Sequence, residues 1–151
     1  MIHGVEIKQL KTHQDERGFF REIIRHTDSF FTEGFAQLSH SLMYPGVAKA
    51  WHIHKTQVDW WYVPIGVLKV ALHDRRPDSP TAGQTQTLYM GDGYDAIALK
   101  IPPGVAHGCK ALTTTHLFYV TSSVYNPAEE GRIPHDDPEI GYDWLSGPTI
   151  K

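Results

Sequence analysis

Residues 46–66 read GVAKAWHIHKTQVDWWYVPIG. A glycine turn opens the stretch, a run carrying His52 and His54 follows, and a second run of bulky residues closes at Gly66. Two histidines at i and i+2 on a strand point to the same face. That arrangement admits two chemistries. His52 has the right ordinary titration range for a proton-transfer base. Alternatively His52, His54 and Asp59, the last arriving on the next strand, are ligands of a divalent metal. His52 cannot be a ligand and a free base at once.

Outward from this stretch the pattern is of short strands. Residues 1–11 alternate partly, with Val5, Ile7 and Leu10 on one side. Residues 13–18 form a polar turn closed by glycine, and Phe19, Phe20, Ile23 and Ile24 a strand leading into a loop. Residues 28–34 suit a single helical turn capped by Asp28 or Ser29. Strand runs follow at residues 37–43, 49–54, 60–63, 67–74, 85–90, 96–101 and 117–124, separated by Gly, Pro and Asp turns. The run VLKVALHD at 67–74 alternates poorly and reads as buried on both faces. No stretch longer than about a dozen residues shows helical periodicity, so the expectation is an all-β sandwich or barrel with short irregular or helical segments, in a single domain over residues 1–151.

Composition narrows the class. The chain has 151 residues, 40% hydrophobic and 21% charged, which suits a folded domain and neither a disordered nor a membrane-embedded one. Its net charge of −3 argues against a general nucleic-acid binder. No apolar run approaches the length of a bilayer span, and residues 1–11 lack a signal pattern, so no membrane partner and a cytoplasmic location are expected. The single cysteine, Cys109, fits a reducing compartment. Ten histidines invite metal or proton-transfer chemistry without choosing between them.

The spacing of Gly46, His52, His54, Asp59 and Gly66, with a later His107 in PPGVAH, resembles the two motifs of the cupins, a family of small β-barrels. It departs from them twice: Asp59 stands where cupins carry Glu, and Ala111 where the second motif ends in Asn. This resemblance implies a metal site of His52, His54, Asp59 and His107 holding Fe, Mn, Ni or Zn.

A longer resemblance runs nearly end to end. Residues 15–22 (DERGFFRE), 35–41 (FAQLSHS), 46–52 (GVAKAWH), 74–83 (DRRPDSPTAG), 101–108 (IPPGVAHG), 125–130 (YNPAEE) and 136–144 (DDPEIGYDW) are similar, in order, to segments of the dTDP-4-dehydrorhamnose 3,5-epimerase family. That family is a metal-free branch of the cupin barrels. Tyr119 lies 12 residues after His107, at the family's offset for its catalytic tyrosine. The resemblance implies a jelly-roll barrel, a homodimer, no cofactor and a nucleotide-linked 4-keto-6-deoxy sugar as substrate. It assigns His52 as general base, Asp137 as the carboxylate that orients it, and Tyr119 as the acid on the opposite face of the sugar. Substrate contacts fall to Arg17, Glu22, Gln37, Lys49, His107 and Tyr125, with Arg17 and Lys49 toward the diphosphate.

Three departures stand out. The family's arginine before the base is Lys49, its lysine near the keto oxygen is Asp59, and the chain ends soon after Trp144. Lysine keeps charge but loses the bidentate fork that suits phosphate. A carboxylate near a forming enolate would repel it. The function expected is epimerisation by proton abstraction alpha to the ketone, in deoxysugar or surface-polysaccharide biosynthesis. The alternatives are a metal-dependent enzyme using the histidine cluster and a sugar-binding barrel without catalysis.

Overall fold

The computed structural model describes residues 1–147. The expected unit of 1–151 includes residues 148–151, which lie outside the described residues. The elements are β1 (Glu6–Gln9), β2 (His13–Asp15), β3 (Gly18–Phe20), β4 (Gln37–Met43), β5 (Ala48–His54), β6 (Asp59–Ile65), β7 (Val67–Asp74), β8 (Thr85–Gly91), β9 (Ile97–Ile101), β10 (Val105–Ala111), β11 (Thr115–Thr121) and β12 (Glu130–Arg132). They form two five-stranded antiparallel sheets, in the orders β1-β9-β6-β11-β4 and β12-β5-β10-β7-β8, with β2 and β3 as a separate hairpin. The all-β jelly-roll sandwich expected from the sequence is what forms.

Side-chain alternation positions everything that follows. On β6, Trp61 points inward to the core between the sheets, while Trp60 points outward. On β5, Trp51 and Ile53 point outward, which leaves His52 and His54 on the inner face. The inner core joins Val70 and Leu72 of β7, Leu99 and Ile101 of β9, and Cys109 of β10.

Both sheets are also covered from outside. Phe30 and Phe31 pack against Trp60, whose indole N–H donates to the Phe30 carbonyl at 2.9 Å. Trp144 and Tyr142 pack against Trp51 and the outward face of β7 and β10 at Ala71 and Ala106. Double coverage explains why VLKVALHD lacks alternation: six of its eight positions are buried. Gly66 makes the tight β6–β7 turn with φ of 91°, and a Cβ there would lie 2.3 Å from the Thr114 carbonyl oxygen. Only glycine fits this corner.

Four sequence expectations are corrected. Residues 28–34 are turns without helix: the Asp28 carboxylate accepts from the Arg25 N–H and from Lys8 Nζ, both at 2.7 Å, and so ties the turn back to β1 instead of capping a helix. The polar turn at 13–18 is part of the β2–β3 hairpin. The strand expected at 117–124 begins at Thr115 and ends at Thr121. Strands β10 and β12 were not expected, because VAHGCKA is built of small residues and EGR is polar.

Candidate active site

A cavity of about 200 Å³ opens between the two sheets. One wall is the inner face of β4, β6 and β11, with Gln37, Ser41, Asp59, Trp61, Tyr119 and Thr121. The other is β5 and β10, with Lys49, His52, His54, His107 and Cys109. Tyr125, Asn126 and Glu130 come from the chain around β12. His52 and Tyr119 therefore face the cavity from opposite sheets. A flat ring bound between them would meet one group on each face.

His52 is held by a carboxylate. Its Nδ1 lies 2.9 Å from Glu130 Oε1, and both side chains are only partly exposed. A carboxylate partner there accepts a hydrogen bond from Nδ1–H and leaves Nε2 as the basic nitrogen of the neutral ring. Glu130 reaches this position because β12 pairs with β5, Arg132 opposite His52 and Glu130 opposite His54. The neighbouring Glu129 turns the other way and accepts from Thr56 Oγ1 at 2.7 Å.

Asp137, expected as the partner of His52, does not line the cavity. Its Oδ1 accepts from the Glu139 N–H at 2.9 Å, and its carbonyl accepts from Ile140 and Gly141. It organises the turn that brings Ile140, Tyr142 and Trp144 onto the outside of the sheet. The physical reason is its place in an Asp-Pro turn, where a short carboxylate is satisfied by its own backbone.

His107 sits opposite His52 in the β5–β10 register, with the two rings near-parallel at 6.3 Å between centroids. It is buried, and its Nδ1 lies 3.1 Å from the Val105 carbonyl, so Nδ1 carries the proton. Burial pushes it down to about 4, against the opposing pull of Asp59, and His54 and His52 lower it further. The ring is neutral at physiological pH. Cys109 is also buried beside the cavity, which pushes its thiol up to about 12, so it is no nucleophile.

His54, Asp59 and His107 form a cluster whose donor atoms lie within 4.8 Å of one another. His52, the fourth residue of the expected metal set, is not in it. The Asp59 carboxylate is buried and accepts from Gln57 Nε2 at 2.8 Å and from the Trp61 indole N–H at 3.1 Å.

The remaining expected contacts divide. Gln37, Lys49 and Tyr125 line the cavity, and Lys49 Nζ donates to Ser41 Oγ at 3.0 Å. Arg17 and Glu22 do not. Arg17 pairs with Asp15 on the exposed tip of the β2–β3 hairpin, and Glu22 lies near Arg25 in the loop after it. Each hairpin strand is solvent-exposed along its length, Phe19 and Phe20 included. Reasoning from sequence missed Glu130, Gln57 and Trp61. The paired glutamates of YNPAEE were a signal for the first, though nothing in the sequence separates Glu129 from Glu130.

The sequence matches the family described as dTDP-4-dehydrorhamnose 3,5-epimerase over residues 1–151. The chain belongs to that family. It is 47% identical over 148 residues to the spore coat polysaccharide biosynthesis protein SpsL of Bacillus subtilis, covering 95% of this chain and 97% of that one. A crystal structure of a dTDP sugar isomerase from Desulfovibrio desulfuricans superposes with a TM-score of 0.90 at 28% identity, covering 97% of this chain and 94% of that one. A dTDP-6-deoxy-D-glucose-3,5-epimerase from Legionella pneumophila, in complex with dTDP-4-keto-L-rhamnose, superposes at 0.86 and 29% identity, covering 99% and 83%. No helix among the described residues is long and apolar enough to cross a membrane.

Proposed function

We propose that this chain is an epimerase of a dTDP-linked 4-keto-6-deoxy sugar, acting by proton abstraction alpha to the ketone in the synthesis of a deoxysugar for surface polysaccharide. The observation that carries the reading is His52 held by Glu130 on one wall of the cavity with Tyr119 on the other. His52 Nε2 takes the proton next to the carbonyl, and the C–H electron pair becomes the C=C bond of an enolate. The imidazolium so formed is stabilised by Glu130. Tyr119 returns a proton to the other face and inverts the carbon as the enolate reverts to the ketone; His52 then gives its proton to solvent and Tyr119 is reprotonated from it. A barrel that only bound a sugar would not need a carboxylate hydrogen-bonded behind a cavity histidine.

The diphosphate end needs cations, and the cavity of one chain supplies only Lys49 among its lining residues. Arg17 is far too exposed to serve its own cavity. A homodimer resolves this: the hairpin with Phe19 and Phe20 lies against a second copy and carries Arg17 to the partner's diphosphate. The outer face of β4 and β11, with exposed Leu38, Leu42 and Phe118, offers further apolar surface for the same contact. The enzyme works in the cytoplasm, where nucleotide sugars are made.

The test is solvent deuterium incorporation into dTDP-4-keto-6-deoxyglucose followed by NMR. Deuterium at C3 or C5, lost in His52→Asn, supports the reading. No exchange by the wild-type enzyme overturns it.

A further inference from the structure

We infer that His54, Asp59 and His107 form a binding site for a divalent first-row transition metal at the floor of the cavity. Asp59 Oδ1 lies 3.8 Å from His54 Nε2, and Oδ2 lies 3.9 Å from His107 Nε2. These separations are too long for hydrogen bonds, so the three groups converge without bonding one another. A tetrahedral ion with ligand bonds of about 2.1 Å sets its donors about 3.4 Å apart. Both Asp59–histidine pairs lie within about half an ångström of that spacing, and all three donors lie within 4.8 Å of one another.

Each ligand is prepared in a different way. The Nδ1–H of His107 is committed to the Val105 carbonyl, which turns the Nε2 lone pair toward Asp59. Gln57 and Trp61 fix the carboxylate plane of Asp59 with two neutral donors, each leaving a lone pair on its oxygen. No Lys or Arg is paired with this buried carboxylate among the described residues. A buried carboxylate without a cation is costly, and a bound cation removes the cost. His54 is the least satisfied: its Nδ1 is buried without a hydrogen-bond partner, and its Nε2 has only a 3.4 Å contact with Gln57. A neutral ring with its proton on the unpartnered Nδ1 presents the Nε2 lone pair to a metal.

Two nitrogens and one oxygen, with the remaining positions open to the cavity, suit Zn²⁺, Fe²⁺ or Mn²⁺. His52 stays outside the set, so metal and base do not compete. Its use rests on the proposed function: a bound ion would supply Lewis-acid stabilisation for the charge that develops on the keto oxygen, with His54, Asp59 and His107 holding it and His52 taking the proton.

The experiment is titration of EDTA-treated, dialysed full-length protein with Co²⁺, read by visible absorption, with bound metal counted after desalting. The expected result is a ligand-field spectrum saturating at about one equivalent per chain. It is lost in Asp59→Asn and in His54→Gln, while both metal-free variants keep a cooperative melt. Less than about a tenth of an equivalent in the wild type, or an unchanged spectrum in Asp59→Asn, overturns the site. Deuterium exchange by the EDTA-treated enzyme is scored separately. Exchange without metal binding refutes the metal site and leaves the epimerase reading; metal binding without exchange under any metal does the reverse.

Discussion

Glu130→Gln is the substitution that most directly probes the catalytic arrangement. Glutamine keeps the size of the side chain and its place on β12, and removes the charge 2.9 Å from His52 Nδ1. When His52 takes a proton it becomes an imidazolium, and that ion pair is what the substitution abolishes. Two unit charges about 4 Å apart interact by about 4 kcal/mol at an effective dielectric of 20. The pair is partly exposed, at 30% for His52 and 19% for Glu130, so solvent screens a good part of this. A loss of about 1.4–2.7 kcal/mol in the transition state remains, which is a fall of about 10- to 100-fold in kcat. KM should hardly move, because the charge pair forms only as the proton transfers. The assay is deuterium incorporation into dTDP-4-keto-6-deoxyglucose, with KM from initial rates. Asp137→Asn, outside the cavity lining, is the matched control and should keep kcat within about twofold. Glu130→Gln at wild-type kcat, or a fall confined to Asp137→Asn, would refute the assignment of Glu130 to the base.

Further expectations follow from single contacts. Tyr119→Phe leaves the base in place and removes the opposing acid, so deuterium should still wash in while the yield of inverted sugar falls about 10²- to 10⁴-fold; loss of both in equal measure would contradict separate roles. Asp74 accepts from Arg76, Ser79 and Thr81, and these bonds hold its carboxyl well below the ordinary value of 3.8 despite burial. Between the two values the unfolded chain binds more protons, so this stability is complete above pH 4 and is lost as pH falls below it. Urea melts should then show Asp74→Asn destabilised by about 2 kcal/mol at pH 7, with the gap narrowing below pH 4. Gly66→Ala combines a left-handed backbone with the close approach to Thr114, and should cost at least about 2 kcal/mol; an unchanged urea midpoint would contradict the described turn.

Local pattern carried the fold further than the site. The i and i+2 spacing put His52 and His54 on one strand face, and both line the cavity, because strand alternation is a local rule. The same rule missed β10, whose VAHGCKA has no large apolar residue to mark a face, although its pairing with both β5 and β7 makes it central. The carboxylate that the structure sets beside His52 was illegible for a different reason. Contact between His52 and Glu130 spans 78 positions and depends on a three-residue strand, so no local property of YNPAEE or DDPEIG decides between them. Arg17 shows the limit most clearly: its motif was legible, and its position on an exposed hairpin is a fact of the folded chain.

Asp59 ties these threads together. In the resemblance its position belongs to a lysine beside the keto oxygen, and a bare carboxylate there opposes the charge that proton abstraction creates. Its neighbours differ from those of a carboxylate waiting for a cationic side chain. Gln57 and Trp61 are neutral donors that orient it, and two imidazoles approach at 3.8 and 3.9 Å without closing. Protonating Asp59 would relieve the burial and leave the Nε2 lone pairs of both imidazoles unused; the proposed cation would engage all three groups. With the proposed cation bound, the carboxylate and two histidines would exchange the positive charge of a fixed ammonium for that of a metal ion, while His52 and Glu130 stay outside the cluster.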